Sequence, residues 1–248
     1  MSMVVRQAQG GTESSPGAVP EMVIVVVPVH DEQGLLPHCM AALGRAAAAV
    51  SIPVHTIVVL DACTDDSADR VPGWARSIHV RARNVGAARA AGFDWAARMS
   101  ANTSARDVWY ATTDADSVVS EDWLTGHVHH ARSADLVVGT VAVRWHEHGG
   151  PVRAEYERRY RHRGLANGHG HVHGANLGFR AAHYHAVGGF GPLAVGEDED
   201  LVTRMREGGA RTVWAEHPTV STCDRRDNRV AGGFGGYLTD LAATVECA

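Results

Sequence analysis

The sequence contains no lysine. All 23 basic residues are arginine, which excludes every chemistry that needs a side-chain amine, Schiff-base catalysis and Walker-type phosphate loops among them. Cysteine is scarce: Cys39, Cys63, Cys223 and Cys247 form no CxxC pair and are too few for a disulfide scaffold, so they read as thiols of a reduced, cytoplasmic protein. Long apolar runs are missing. Stretches such as Met22 to Pro28 and Asp135 to Val143 fall well short of the roughly 18 residues a membrane span requires. No apolar signal-peptide core precedes them, and residues 1–20, rich in Gly, Ser, Gln and Pro, read as a disordered lead-in. A basic field is absent too. The formal net charge of -5, with acid and base interspersed, argues against a nucleic-acid binder, so a bound anion must be met by arginine, backbone amides or a metal.

What is present is an ordinary globular composition of 248 residues, 45% hydrophobic and 21% charged, enough for one large α/β domain or two small ones. The β-branched run Met22 to Val29 predicts a strand buried on both faces, followed by a helix within Gln33 to Val50. The alternation continues with strands at 55–60, 77–80, 108–113 and 136–145 and helices at 65–75, 85–99 and 121–132. Beyond it come an arginine-rich helix (151–164), a Gly/His loop (165–174), a strand (175–180), a helix (197–207) and a strand (211–215). Strand and helix in alternation predict a mostly parallel central sheet with right-handed crossovers.

In such sheets ligands collect at the carboxyl ends of the strands. Here those ends are acidic: His30, Asp31 and Glu32, then Asp61 to Asp66, then Asp114, Ala115 and Asp116. Three converging acidic clusters repel one another unless a cation or hydrogen-bond donors intervene, and a divalent metal resolves the conflict. Asp114-Ala115-Asp116 suits a hard cation, because carboxylates one residue apart on a tight turn reach a metal directly and through water. The same triplet also suits the N-terminal side of the helix near Glu121.

The succession Pro28-Val29-His30-Asp31-Glu32, Asp61-Ala62-Cys63-Thr64-Asp65-Asp66-Ser67, Asn84-Val85-Gly86-Ala87-Ala88-Arg89-Ala90-Ala91-Gly92 and Asp114-Ala115-Asp116 resembles the nucleotide-binding half of family-2 glycosyltransferases of the GT-A fold. Gly174-Ala175-Asn176-Leu177-Gly178-Phe179-Arg180 and Gly196-Glu197-Asp198-Glu199-Asp200-Leu201 look like that family's acceptor-side motifs, and the likeness runs over residues 22–222. Two spellings depart from the family pattern: Asp31 stands where asparagine is commoner, and the second motif carries Ala62-Cys63. The resemblance implies an α/β chain of GT-A type, with helices on both faces of a mostly parallel sheet. Residues 21–248 would form one domain, about 21–120 as the nucleotide-sugar half and about 121–248 as the acceptor half with a C-terminal helix.

Carried over residue by residue, the resemblance puts Pro28, His30 and Glu32 along ribose and base, Asp61 as acceptor from the base, and Asn84 and Arg89 beside the nucleotide. Asp116 would be the direct ligand of Mn2+ or Mg2+, Asp114 the carboxylate near ribose and metal, and His217 a third metal ligand. Gly174, Ala175, Asn176 and Glu197 fall to acceptor and donor sugar. Asp198 is the expected general base of an inverting transfer, with Glu197 and Asp200 as alternatives; the same acids also complement a helix dipole. The expected donor is a nucleoside-diphosphate hexose, a UDP-sugar ahead of a GDP-sugar, and the acceptor a hydroxyl group. Arg225 and Arg226 can close over the diphosphate. His169, His171 and His173 read as a mobile acceptor-side loop rather than a zinc site, since no second ligand group adjoins them. The helix Arg153 to Arg163 reads either as a solvated face or as a holder of an anionic or sugar acceptor. A retaining transferase of the same fold and a non-catalytic nucleotide-diphosphate binder are the competing functions.

Overall fold

The computed structural model describes residues 18–162, 169–225 and 233–246. Its centre is a strand of valines, β1 (Met22–Val29), in which Val23 to Val27 are wholly buried. β1 pairs in parallel with β2 (Val54–Asp61) on one side and β4 (Val108–Thr112) on the other, and β2 pairs in parallel with β3 (Arg76–Val80). Pro28 is tolerated in this central strand because β4 leaves β1 after the Val26–Thr112 pair, so no ladder bond to β4 is required of it.

The sheet continues through β6 (Leu177–Arg180), β5 (Leu136–Arg144) and β7 (Thr212–Cys223), giving seven strands in the order β3-β2-β1-β4-β6-β5-β7. β6 runs antiparallel to both neighbours. That reversal has a functional consequence: it brings the residues before β6 to the edge where β1, β2 and β4 end. Helices α1 (Leu36–Ala48) and α3 (Trp123–His130) cover one face of the sheet. The other carries α2 (Val85–Met99), α5 (Ala181–Ala186) and α6 (Glu197–Glu207). Gly92 lets α2 settle on the sheet, since a Cβ there would collide with Val26 and Val59. α4 (Gly150–His162) and α7 (Phe234–Glu246) pack on each other through Val152, Tyr156, Leu238 and Leu241.

The expected α/β architecture is borne out, with local corrections. The helix expected over 65–75 is one 3-10 turn, Asp66–Arg70, stopped by Val71, Pro72 and Gly73. The strand expected from 175 begins at Leu177, after a 3-10 turn at Gly174–Asn176. The strand expected to end at 215 runs on to Cys223 through a bulge, where the partner of β5 jumps from Ala215 to Val220. Residues 1–17 of the expected lead-in lie outside the described residues.

Candidate active site

The acidic clusters meet as the topology requires. β1, β2 and β4 deliver His30 to Glu32, Asp61 and Asp114 to Asp116 to one sheet edge. β6 begins there, so Gly174 and Ala175 precede it at the same place, and β7 ends there at Cys223. α6, the crossover leading into β7, starts at this edge with four acids in its first turn.

Much of the first two clusters is occupied in building the loops. The Asp61 carboxylate accepts the backbone N–H groups of Ala82 (2.7 Å), Arg83 (2.9 Å) and Asn84 (2.9 Å). His30 Nδ1 lies 2.6 Å from the Asp61 carbonyl, which can only accept, so that nitrogen carries the proton. Asp31, at φ 50°, accepts from the Thr64 amide (2.6 Å) and hydroxyl; the Thr64 amide bond, set against desolvation, holds its carboxyl below the ordinary range. Asn84 caps α2 by accepting the Ala87 amide at 2.8 Å and donates to the Leu193 carbonyl at 2.8 Å.

The third cluster is where charge accumulates. Asp116 Oδ1 accepts from Ser117 Oγ (3.1 Å), and its Oδ2 from Arg225 (2.6 Å) and the more distant thiol of Cys223 (3.7 Å). Arg225 also clasps Glu32 through two bonds, at 3.0 and 2.8 Å. Burial and the charge of Asp116 push the Cys223 thiol up to about 11, keeping it neutral. Asp114 gives Oδ1 to Arg89 at 2.6 Å, while its side chain remains 37% exposed. Burial pushes the Asp114 carboxyl up to about 6; Arg89 pulls against this and Asp116 adds to it. Two carboxylates on alternate residues, one with an oxygen that accepts no described hydrogen bond, fit a hard divalent cation completed by phosphate and water.

Across the cleft, Arg89 is only 2% exposed and spends its amino groups on Asp114 and Glu197. The resemblance puts it beside the nucleotide; the structure buries it one layer behind. The three candidate bases have different company. Glu197 is buried against Arg89, and Asp200 pairs with Arg204 one turn on. Asp198 has no ion pair among the described residues; its Oδ2 accepts the Gly174 amide at 2.7 Å and its Oδ1 the Glu199 amide at 2.8 Å.

Other expected residues sit elsewhere. Ala115 is buried between its two aspartates, and Ala175 is buried beside Gly174. Asn176 is 1% exposed, with its amide spent on the carbonyls of Thr140 (2.8 Å) and Pro218 (3.0 Å) and on Trp123 Nε1 (2.8 Å), so it pins the β5–β7 bulge instead of facing an acceptor. His217 is exposed in that bulge, and the regular ladder from Val220 to Cys223, about 10 Å at roughly 3.3 Å per residue, separates the bulge from the Cys223 that contacts Asp116. The structure thus does not bring His217 together with Asp116. His169 has both ring nitrogens engaged, with the Val138 carbonyl (3.0 Å) and the His171 amide (3.1 Å), and His171 stacks on Tyr160 at 3.6 Å. The zinc alternative thus has no support there. On α4 the described arginines Arg153, Arg158 and Arg159 pair with Glu155 and Glu157, as on a solvated face. Arg226 and 165–168 of the Gly/His loop lie outside the described residues.

Sequence reasoning missed Asp224, whose buried carboxylate accepts the amides of His146, Glu147 and His148 at 2.8–2.9 Å and so fixes the backbone just before Arg225. Its position beside two arginines in Cys223-Asp224-Arg225-Arg226 was the available signal.

The family model for glycosyl transferase family 2 matches residues 24–188, a span holding all of the donor-side clusters and Gly174 to Arg180. The chain belongs to this family. No curated protein matches it significantly in sequence. Among solved structures, the family-2 chain is similar to the mannosyltransferase PcManGT from Pyrobaculum calidifontis in complex with GDP-Man and Mn2+, with a TM-score of 0.60 and 19% identity over 87% of this chain and 60% of that one. It is similar also to S. aureus TarS 1-349 in complex with UDP-GlcNAc, with a TM-score of 0.58 and 13% identity over 90% of this chain and 66% of that one. These likenesses are of fold, and the fold is GT-A. The family-2 chain spans less than two thirds of the length of either structure. No described helix is long and apolar enough to cross a membrane.

Proposed function

We propose that this chain is an inverting glycosyltransferase that uses a divalent cation, Mn2+ or Mg2+, and moves a hexose from a nucleoside-diphosphate sugar to a hydroxyl acceptor. The observation that carries the reading is the division of labour among the cleft acids: Asp114 and Asp116 stand together at the end of β4, while Asp198, alone of the three α6 candidates, makes no ion pair among the described residues and feels the charge of Arg89 only at longer range. A carboxylate that makes no ion pair among the described residues and is held by two backbone amides is suited to accept a proton from an attacking hydroxyl.

Asp116 and Asp114 would hold the cation, which when bound offsets the charge that builds on the departing diphosphate. Arg225 supplies a guanidinium with bidentate geometry for phosphate oxygens, and Arg226 follows it in sequence. Glu32, His30 and the loop capped by Asp61 frame the ribose and base. The similar structures hold GDP-Man in one case and UDP-GlcNAc in the other, which supports a nucleotide-sugar donor as a class. The described cysteines are free thiols, which fits a cytoplasmic enzyme.

A thermal-shift screen of UDP, GDP and their sugars, with and without Mn2+, tests the donor reading, because a ligand bound only by the native state raises the melting temperature. Stabilisation that needs both nucleotide and cation is expected. No stabilisation by any of them would defeat the proposal, and binding with no turnover of any donor sugar would leave a nucleotide-binding module. The anomeric configuration of the product, read by NMR, decides between inversion and retention.

A further inference from the structure

Arg89 lies in the second turn of α2, and its guanidinium reaches two elements distant in sequence: Asp114 at the end of β4, at 2.6 Å, and Glu197 at the start of α6. It is buried and lies 5.5 Å over the Phe190 ring. Gly174 closes the arrangement. A Cβ on Gly174 would fall inside the guanidinium, so the backbone at 174 rests directly on Arg89, and it is the Gly174 amide that holds Asp198 at 2.7 Å.

We infer that Arg89 is a positioning residue that ties the donor-side carboxylate Asp114 to the placement of Asp198, with Glu197 as the second arm of the clamp. The inference rests on the donor and base roles proposed above. Glu197 binds the arm of the arginine that Asp114 does not use, and it is the residue next to Asp198. The bare backbone of Gly174 is packed on one side by the guanidinium and donates on the other to the Asp198 carboxylate. A fork with several donors in one plane is needed to serve both carboxylates at once, which a lysine amine would not do in the same geometry. A change of charge at Asp114 is thereby felt at the start of α6, and a displacement of Arg89 moves Asp198.

The test uses two variants and the full chain. Glu197→Gln removes one carboxylate from the clamp without touching Asp114 or Asp116. Gly174→Ala conserves every charge and places a methyl against the guanidinium, at a position whose backbone is not left-handed. Folding is checked by circular dichroism. Binding of Mn2+ alone is followed by the electron paramagnetic resonance of the free ion, and turnover by release of nucleoside diphosphate from the donor into water, which requires no acceptor. In Glu197→Gln, Mn2+ affinity is expected to fall by about tenfold or more, because a negative charge is lost from the neighbourhood of a divalent ion. In Gly174→Ala the Mn2+ affinity and the hydrolysis rate are expected to change together, the rate by on the order of 100-fold, as for a reacting group displaced by about 1 Å. Folded Glu197→Gln with wild-type Mn2+ affinity overturns the coupling. So does Gly174→Ala that loses turnover with Mn2+ affinity unchanged, since the base would then be placed independently. Wild-type protein that binds neither Mn2+ nor a nucleoside diphosphate overturns the donor reading and the coupling with it, whereas wild-type binding with unresponsive variants overturns the coupling alone.

Discussion

Arg225 donates to Oδ2 of Asp116 at 2.6 Å, and through the same guanidinium grips Glu32. The acidic cluster after β4 thus carries its own cation, set on a carboxylate proposed above to give an oxygen to a metal. Desolvation works against the charge on Arg225, but its bonds to Glu32 and the charge of Asp116 outweigh this and hold its pKa above the ordinary arginine value.

That arrangement makes Arg225 a competitor of a bare metal ion and a partner of a metal nucleotide. In Arg225→Gln, Mn2+ alone is expected to bind roughly three- to tenfold more tightly, because a positive charge has left its immediate surroundings. The Mn2+ complex of a nucleoside diphosphate is expected to bind more weakly, for want of the phosphate-directed fork. Calorimetric titrations with Mn2+ alone and with Mn2+ plus GDP or UDP read the two effects separately. A loss of affinity in both would show that Arg225 only shapes the cleft.

Asp116→Ala is expected to abolish cation-dependent nucleotide binding while the protein remains folded. Asp116 sits on the turn after β4 and is partly exposed, and of the side chains that contact it Arg225 keeps Glu32 as a partner and Cys223 stays partly exposed, leaving only the buried Ser117 hydroxyl to lose its bond. Unchanged calorimetric affinity in the variant, with and without Mn2+, would remove Asp116 from the metal site.

Much of this site was legible in the sequence because strand ends in a parallel sheet share an edge, so three acidic clusters after three β-branched runs had to converge. The expected helices 85–99 and 197–207 coincide with Val85–Met99 and Glu197–Glu207, and the structure shows what starts each: Asn84 capping with its side chain and Gly196 in the left-handed region. What could not be read was partnership. Asn176 and Asp198 both belong to polar motifs, yet Asn176 faces a bulge made by residues about 40 positions away and Asp198 an amide 24 positions away. His217 failed for the same reason. The position expected for it marks the end of a strand, and the strand ran on, since Val220 to Cys223 re-entered the ladder beyond the bulge. The family resemblance alone places Arg89 beside the nucleotide, and only the positions of Asp114 and Glu197 reveal that it is spoken for.

Asp224 offers a test of acid stability with a defined sign. Desolvation raises its carboxyl, but the amides of His148, His146 and Glu147 outweigh this and leave its pKa below the ordinary value. A carboxyl depressed in the folded state stabilises the protein above its unfolded value of about 3.9, and that contribution fades as pH falls through the folded pKa. Asp224→Asn puts an amide N–H among three donors and is expected to cost roughly 1–3 kcal/mol at pH 7. The gap between wild type and variant should shrink below about pH 4. Urea unfolding at pH 7, 5 and 3 measures it; a gap independent of pH would mean that the uncharged shape of the side chain, not its charge, holds the 146–148 turn.

Asp198→Asn bears on the chemical step itself. Asp198 accepts amides from Gly174 at 2.7 Å and Glu199 at 2.8 Å, one on each carboxyl oxygen. Asparagine can keep only one of these bonds, because its nitrogen donates, so a stability loss of about 1 kcal/mol is expected from the other. The transfer rate should suffer far more. An amide has the carboxylate's shape and cannot take the acceptor's proton, and general-base contributions are typically on the order of 10²- to 10⁴-fold. The proposed donor ligands Asp114, Asp116 and Arg225 make no hydrogen bond or ion pair to Asp198 among the described residues, so the donor affinity should change little while kcat falls. Retention of near-wild-type turnover would reduce Asp198 to a helix-start carboxylate that fastens Gly174. The alternatives would then be poor, since Glu197 already neutralises Arg89 and Asp200 is paired with Arg204. A fully active Asp198→Asn variant would therefore count against inversion by a carboxylate base altogether, and a product that kept the donor's anomeric configuration would decide the matter.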